Sequence, residues 1–83
     1  MTGSSGRHEV VLYTRERCSL CRTAKAAILA VRRELAFEFR EIDIGWSGDL
    51  YEEHKHDIPV VEIDGKRAFK HRVDPAALKE RLR

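Results

Sequence analysis

The chain has 83 residues, of which 42% are hydrophobic and 36% charged, with a formal net charge of +2 at pH 7. This length allows one domain with one core, and the composition is typical of a globular protein. No apolar run approaches the roughly 20 residues that span a bilayer, and no secretory signal is recognisable, so we expect a cytoplasmic protein without a membrane partner. Acidic and basic residues are interleaved, which argues against a nucleic-acid partner because phosphate binding requires clustered positive charge.

A polar leader precedes the predicted domain. Residues 1–8 carry almost no apolar side chains, and Gly3-Ser4-Ser5-Gly6 is typical of a flexible linker. We therefore predict a flexible leader over residues 1–8 and one domain over residues 9–83. The domain opens with a strand from Glu9 to Thr14, whose unbroken apolar run indicates burial on both faces of a sheet.

The next two elements are predicted from their periodicity. Apolar residues recur at helical spacing from Cys18 to about Leu35, which predicts an amphipathic helix. A strand is predicted from Phe37 to Ile44, where the apolar phase changes at Arg40-Glu41. Either a bulge or a change in how the strand is covered would explain that change. Because a helix connects the two strands, we expect them to be parallel.

The second half of the chain predicts a helix, a hairpin and a final helix. The loop Gly45–Gly48 contains Trp46, which we expect to cap the core, with a position in a partner-binding groove as the alternative. A short helix follows from Asp49 to His56. Strands from Ile58 to Ile63 and from Lys66 to Phe69 flank Asp64-Gly65, a strong two-residue turn signal. Asp74 as N-cap and Pro75 at the first position start the last helix. The prediction is an α/β fold in the order β-α-β-α-β-β-α, with a four-stranded mixed sheet flanked by helices.

Cys18 and Cys21, the two cysteines of the chain, fall where the first strand passes into the first helix. A spacing of three residues lets the two sulfurs meet one helical turn apart, and a helix N-terminus favours a thiolate on the first cysteine. This arrangement favours a redox-active dithiol over a structural disulfide framework. Two alternatives stay open, namely that Cys18 is a buried structural thiol and that Cys21 is a passive core thiol.

The four histidines raise the question of a metal site. A structural zinc site needs four ligands, which the cysteine pair and two histidines would have to supply. The spacing of His54 and His56 is not that of a zinc-finger pair, and the chain has no second cysteine pair. We therefore predict no metal and solvent-exposed histidines.

Two segments of the chain together resemble the glutaredoxin pattern within the thioredoxin superfamily. They are Tyr13–Cys21 (YTRERCSLC) and Asp57–Gly65 (DIPVVEIDG). The resemblance is greatest to short bacterial glutaredoxin-like domains and covers about residues 9–82. It implies a thioredoxin-like fold and a monomeric thiol–disulfide oxidoreductase without a bound cofactor, whose partner is a disulfide-containing protein or glutathione. In such a protein Cys18 is the attacking thiolate, and Cys21 resolves the mixed disulfide.

The resemblance also implies roles for residues outside the cysteine pair. Pro59 matches a cis-proline that faces the active cysteine, and the Ile58 backbone before it would be free to pair with a bound peptide. Arg15 matches a basic residue that contacts a carboxylate of glutathione, the candidate co-substrate. A trans Pro59 and a solvated Arg15 are the alternatives.

The chain departs from the glutaredoxin pattern in two places. Phe69–Asp74 lacks the Gly-Gly that glutathione-using members carry there, so side chains would crowd the path of the peptide, and Leu20 replaces a common aromatic residue. These departures keep a second functional hypothesis open. In it the domain is a non-catalytic binding module, or an iron–sulfur cluster carrier that binds through Cys18 and a glutathione thiol.

Overall fold

The structure, a computed structural model, describes residues 7–83. Its elements follow the predicted order: β1 (Glu9–Thr14), α1 (Ser19–Arg32), β2 (Glu38–Asp43), α2 (Asp49–His54), β3 (Val60–Ile63), β4 (Lys66–Lys70) and α3 (Pro75–Leu82). Within the described residues, no helix combines the length and the hydropathy needed to cross a membrane.

The four strands form one mixed sheet in the order β2-β1-β3-β4, as predicted. Strand β1 pairs in parallel with β2 and antiparallel with β3, and β3 pairs antiparallel with β4. The central position of β1 explains its apolar run, because Val10, Val11 and Leu12 are all buried. The prediction of a strand covered on both faces is confirmed.

Helix α1 packs on the sheet through one buried face, which consists of Cys21, Ala24, Ile28 and Val31. Leu78 and Leu82 of α3 join the same core. Helix α1 ends at Arg32, so the prediction that it continues to Leu35 is wrong. The amide of Leu35 still donates to the Val31 carbonyl at 3.0 Å, and its side chain packs against the core. The apolar periodicity therefore persists through a turn that follows the helix.

Strand β2 contains no bulge. Its pairing with β1 runs without a shift from Glu9 opposite Glu38 to Thr14 opposite Asp43. The phase change lies inside the strand, between the partly buried Phe39 and Ile42, while the buried Phe37 and Ile44 stand just outside its two ends. The register shift of this sheet lies instead between β3 and β4, at Val61/Glu62.

The Asp64-Gly65 turn is confirmed, with positive φ at both residues, 53° and 83°. Asp64 also binds the start of the domain, since its carboxylate accepts from the Glu9 amide at 2.9 Å and contacts the His8 ring. Of the leader predicted over residues 1–8, residues 1–6 lie outside the described part of the chain. Arg7 is described and pairs with Glu38 at 3.3 Å.

Candidate functional site

The site forms at the end of the sheet where β1 leads into α1. Cys18 is the N-cap of α1 with extended backbone, and its Sγ accepts a hydrogen bond from the Cys21 amide at 3.1 Å. The two cysteines are joined by a disulfide with their Cα atoms 5.2 Å apart. Cys18 is half-buried, whereas Cys21 is only 3% exposed. Cys18 is therefore the more accessible of the two cysteines, and Cys21 belongs to the core.

A cavity of about 310 Å³ borders the disulfide and contains both cysteines in its wall. Its charged lining residues are Arg15, Arg17, Arg22 and Lys25 together with Glu16, Glu41 and Asp43. Lys25 and Glu41 pair at 2.9 Å, and a carboxylate oxygen of Asp43 accepts from the Gly45 amide at 2.7 Å. The arginines of the cavity have no acidic partner among residues 7–83.

Arg15 lies in the wall of this cavity and packs between aromatic rings. Its guanidinium carbon is 4.3 Å from the ring centroid of Trp46 and 5.9 Å from that of Tyr51. Its Nε is buried without a hydrogen-bond partner. The expectation that Trp46 caps the core is wrong, because Trp46 is 61% exposed and covers Arg15 instead. Cation–π contact of this kind holds a guanidinium in place without neutralising its charge.

The segment before β3 lies at the same end of the sheet as the cysteines. Strands β1 and β3 are antiparallel with Tyr13 opposite Val60, so the end of β1 adjoins the start of β3. The Ile58–Pro59 bond is cis, as the resemblance implied, and Pro59 is buried. Neither Ile58 nor Pro59 lines the cavity that contains Arg15 and the cysteines.

The Ile58 backbone was expected to be free to pair with a peptide, but within residues 7–83 only the carbonyl of its two hydrogen-bonding groups is free. The Ile58 amide donates to the His54 carbonyl at 3.2 Å. The Ile58 carbonyl accepts no hydrogen bond from the part of the chain that the structure describes. One backbone acceptor therefore remains at this position for a bound peptide.

A second cavity, of about 250 Å³, lies on the side of α1 that faces the loop before α3. Its lining is Leu20, Thr23, His71, Arg72, Val73 and Asp74. His71 has φ 68°, a left-handed conformation that suits glycine, and its ring Nε2 is 3.0 Å from the His56 carbonyl. Side chains thus occupy the place for which the resemblance implied Gly-Gly, in agreement with the departure noted in the sequence.

Sequence reasoning missed His54, which is 2% exposed. Its ring stacks on Tyr13 with centroids 4.4 Å apart, and its Nδ1 is 3.2 Å from Nη2 of Arg67. Burial raises the pKa of Tyr13, and the Glu62 carboxylate that accepts from its hydroxyl at 3.2 Å raises it further. The prediction of solvent-exposed histidines is therefore wrong for His54. Spacing within α2 gave no signal for this burial, because Leu50, four residues earlier on the same helix face, is itself 39% exposed.

Among residues 7–83, no three His, Cys, Asp or Glu side chains are grouped so that they could hold a metal ion. The cysteines are bonded to each other, and His54 is engaged with Arg67.

Solved structures show the fold class. The chain is similar over 100% of both chains to protein Ne2328 from Nitrosomonas europaea, determined by solution NMR, with a TM-score of 0.77 and 22% identity. It is also similar to a thioredoxin from Fasciola hepatica (TM-score 0.59, 22% identity, 92% of this chain and 78% of that one). Trxlp from Edwardsiella tarda gives a TM-score of 0.54 at 14% identity, over 94% and 84% of the two chains. The fold is thioredoxin-like.

The family is defined by sequence. The family model of the glutaredoxin-like domain (DUF836) matches residues 9–83, and the chain belongs to this family. The glutaredoxin-like protein YDR286C homolog of Dictyostelium discoideum is 41% identical in an alignment of 68 positions that covers 75% of this chain. The chain spans 63% of the length of that curated relative. The resemblance found in Tyr13–Cys21 and Asp57–Gly65 is thereby confirmed.

Proposed function

We propose that the protein is a thiol–disulfide oxidoreductase whose redox centre is the Cys18–Cys21 pair. The observation that carries the proposal is the position of this disulfide at the N-terminus of α1, with Cys18 partly exposed and Cys21 in the core. The unpaired amides and the dipole of a helix N-terminus stabilise a thiolate there. Cys18 is then the nucleophile, and the buried Cys21 reacts only with the Cys18 sulfur of the mixed disulfide.

The reaction begins from the dithiol. The Cys18 thiolate attacks a substrate disulfide, forms a mixed disulfide with one half of the substrate and releases the other half as a thiolate, which takes a proton from water. Cys21 then loses its proton and attacks the Cys18 sulfur, which forms the intramolecular disulfide and releases the second thiol. Two electrons pass from the dithiol to the substrate, and a thiol reductant returns them.

Arg15, Ile58 and Pro59 are the proposed substrate-binding residues. The free Ile58 carbonyl supports pairing with the backbone of a bound peptide, a form of strand addition. The unpaired, ring-held guanidinium of Arg15 supports contact with a substrate carboxylate. The substrate is a disulfide-containing protein or glutathione disulfide, and glutathione is the candidate reductant. We propose a cytoplasmic monomer that needs no bound cofactor.

The redox potential of Cys18–Cys21 tests this proposal, measured by alkylation trapping in glutathione and dithiothreitol buffers. A value of about −200 to −230 mV supports glutathione as the reductant, and a value near about −270 mV supports a thioredoxin-type reductant. Turnover must disappear in Cys18→Ser, while Cys21→Ser must accumulate the mixed disulfide. A pair that never closes into a disulfide overturns the dithiol mechanism, and a coloured dimer without turnover indicates the cluster carrier instead.

A further inference from the structure

The turn between α2 and β3 is held from both of its ends. The carbonyl of His54 accepts from the amides of Asp57, at 2.9 Å, and Ile58, at 3.2 Å. On the other side, the amide of His71 donates to the carbonyls of Pro59, at 2.7 Å, and Asp57, at 3.3 Å. The backbone of the segment that carries Pro59 is therefore tied to the end of α2 and to the end of β4.

Arg67 of β4 bridges the two ends of this turn with a single guanidinium. Its Nη1 donates to the Asp57 carboxylate at 3.0 Å, and its Nη2 lies 3.2 Å from Nδ1 of His54. Because a guanidinium only donates, Nδ1 of His54 must accept, which leaves the ring proton on Nε2. His54 is buried, so removal of Arg67 would leave a buried acceptor without a partner, a loss that costs more than an exposed hydrogen bond.

His54 also connects this turn to the strand that leads into the cysteines. Its ring stacks on Tyr13 of β1, and the Tyr13 hydroxyl donates to Glu62 of β3. Its Nε2 faces Glu53 at 3.9 Å, beyond hydrogen-bond distance. The side chains of α2, β1 and β4 therefore meet at His54, whose own carbonyl binds the amides of Asp57 and Ile58.

We propose that Arg67 and His54 are positioning residues that hold the Ile58–Pro59 segment in the conformation that pairs with a substrate backbone. The inference rests on the proposed function and adds two residues that never contact the reacting sulfurs. A segment that is already ordered loses less conformational entropy when a peptide pairs with it. Loosening the segment weakens capture of a peptide disulfide, whereas exchange with a small dithiol, which needs only access to the cysteine sulfurs, is unchanged.

The experiment compares two reactions of the same protein. The first is reduction of a peptide disulfide by the dithiol form, resolved into kcat and KM, and the second is reduction of the Cys18–Cys21 disulfide by dithiothreitol. Arg67→Gln should raise KM for the peptide about tenfold, the order expected for loss of a hydrogen bond to a charged group. It should change the dithiothreitol rate less than twofold, about the scatter expected of a surface substitution. Lys66→Gln is the matched control, because Lys66 is an exposed neighbour on β4 without an ion pair among residues 7–83.

Two further variants separate positioning from packing. His54→Phe retains a ring against Tyr13 but removes the Nδ1 acceptor, so it should reproduce the effect of Arg67→Gln on KM. Arg67→Lys keeps the positive charge but presents a single ammonium group, whereas the guanidinium reaches two acceptors. Its KM for the peptide should therefore lie between that of the wild type and that of Arg67→Gln. Thermal unfolding of each variant establishes that it is folded at the assay temperature. If Arg67→Gln does not fold, the KM of His54→Phe is used to test the proposal.

The outcomes separate this inference from the proposed function. Equal losses in both reactions, or no loss in the peptide reaction, overturn the positioning role while the oxidoreductase proposal stands. If the wild-type protein exchanges with dithiothreitol but does not reduce the peptide disulfide, the proposed substrate binding is wrong. The positioning role, which depends on that binding, is then wrong as well.

Discussion

The ionisation of Asp57 is coupled to the conformation of the proposed substrate segment. The hydrogen bond from Arg67 lowers the pKa of Asp57 below its ordinary value of 3.8, and the nearby charges of Lys70, Arg67 and His71 lower it further against the opposing effect of burial. A carboxyl whose pKa is lower in the folded state stabilises that state at any pH above its unfolded pKa. This stabilisation is lost as the pH falls through the folded pKa.

We expect Asp57→Asn to be less stable than the wild type at neutral pH, because the amide makes a weaker bond to Arg67. The difference should shrink as the pH falls from about 5 to about 2, since the wild-type carboxyl becomes protonated over that range. Urea unfolding at a series of pH values measures both free energies. Glu16→Gln, at an exposed carboxyl without an ion pair among residues 7–83, is the control. A pH-independent difference for Asp57→Asn would contradict the argument.

Features that depend on neighbouring residues in the chain were predictable from the sequence. Burial that depends on contacts between distant elements was not. Cys18, Cys21 and Pro59 follow from short motifs. The burial of His54 depends on Tyr13 of β1 and Arg67 of β4, which no spacing within α2 reveals. Trp46 was expected to cap the core, yet it is 61% exposed and its ring contacts the Arg15 guanidinium, a neighbour distant in sequence.

The hairpin of β3 and β4 is the element that brings Arg67 to the proposed substrate segment. Its two-residue turn has positive φ at both Asp64 and Gly65, a geometry that matches the twist of the strands. The register that follows places Lys66 opposite Ile63 and Arg67 opposite Glu62. The position of Arg67 therefore depends on the turn two residues before it.

Gly65→Ala should lower the free energy of unfolding by about 1 kcal/mol, because a side chain disfavours the left-handed backbone. An added Cβ would meet no atom within 4 Å, so steric contact contributes nothing to the loss. Gly65→Asn is the matched control and should lose less, since asparagine tolerates this conformation. Urea unfolding of the three proteins measures the order, and an alanine variant as stable as the asparagine variant would refute the reason given.

Element order was predictable throughout, but element ends were not. The first helix was expected to reach Leu35 and ends at Arg32, the second was expected to reach His56 and ends at His54, and β3 begins at Val60 rather than Ile58. Beyond the end of the first helix, Leu35 continues the apolar pattern and packs against the core. Apolar periodicity therefore does not mark where that helix ends.

The cavity beside the disulfide has a small excess of positive charge, with four basic and three acidic side chains in its lining. Away from the disulfide, long-range pairs such as Lys79–Glu34, at 2.7 Å, join separate elements. Beside the disulfide, Arg17 and Arg22 have no ion-pair partner among residues 7–83. Unpaired charge at one end of a molecule attracts substrates of the opposite charge, and salt screens that attraction.

Reduction of an anionic disulfide should therefore slow with rising ionic strength more than reduction of a neutral one. Arg22→Gln should weaken this salt dependence by removing one charge from the cavity wall. Arg33→Gln is the matched control, because Arg33 follows the opposite end of α1, roughly 16 Å away along the helix, and also lacks an ion pair within the described chain. Rate constants from about 0.02 to 0.5 M salt cover the relevant screening lengths. Equal salt slopes for the two variants would show that the cavity charge does not attract the substrate.

In the proposed reaction the Cys18 sulfur is both the redox atom and the cap of α1, and this double role would give the backbone a spectroscopic signal. When the disulfide opens, the acceptor facing the Cys21 amide changes from a neutral sulfur to an anionic one, and charge-assisted hydrogen bonds are stronger. The Cys21 amide proton should then resonate at lower field and exchange more slowly with deuterium. The chemical shift and exchange rate of this one backbone N–H would thus report whether the cysteine pair is oxidised or reduced, with no label attached to either cysteine.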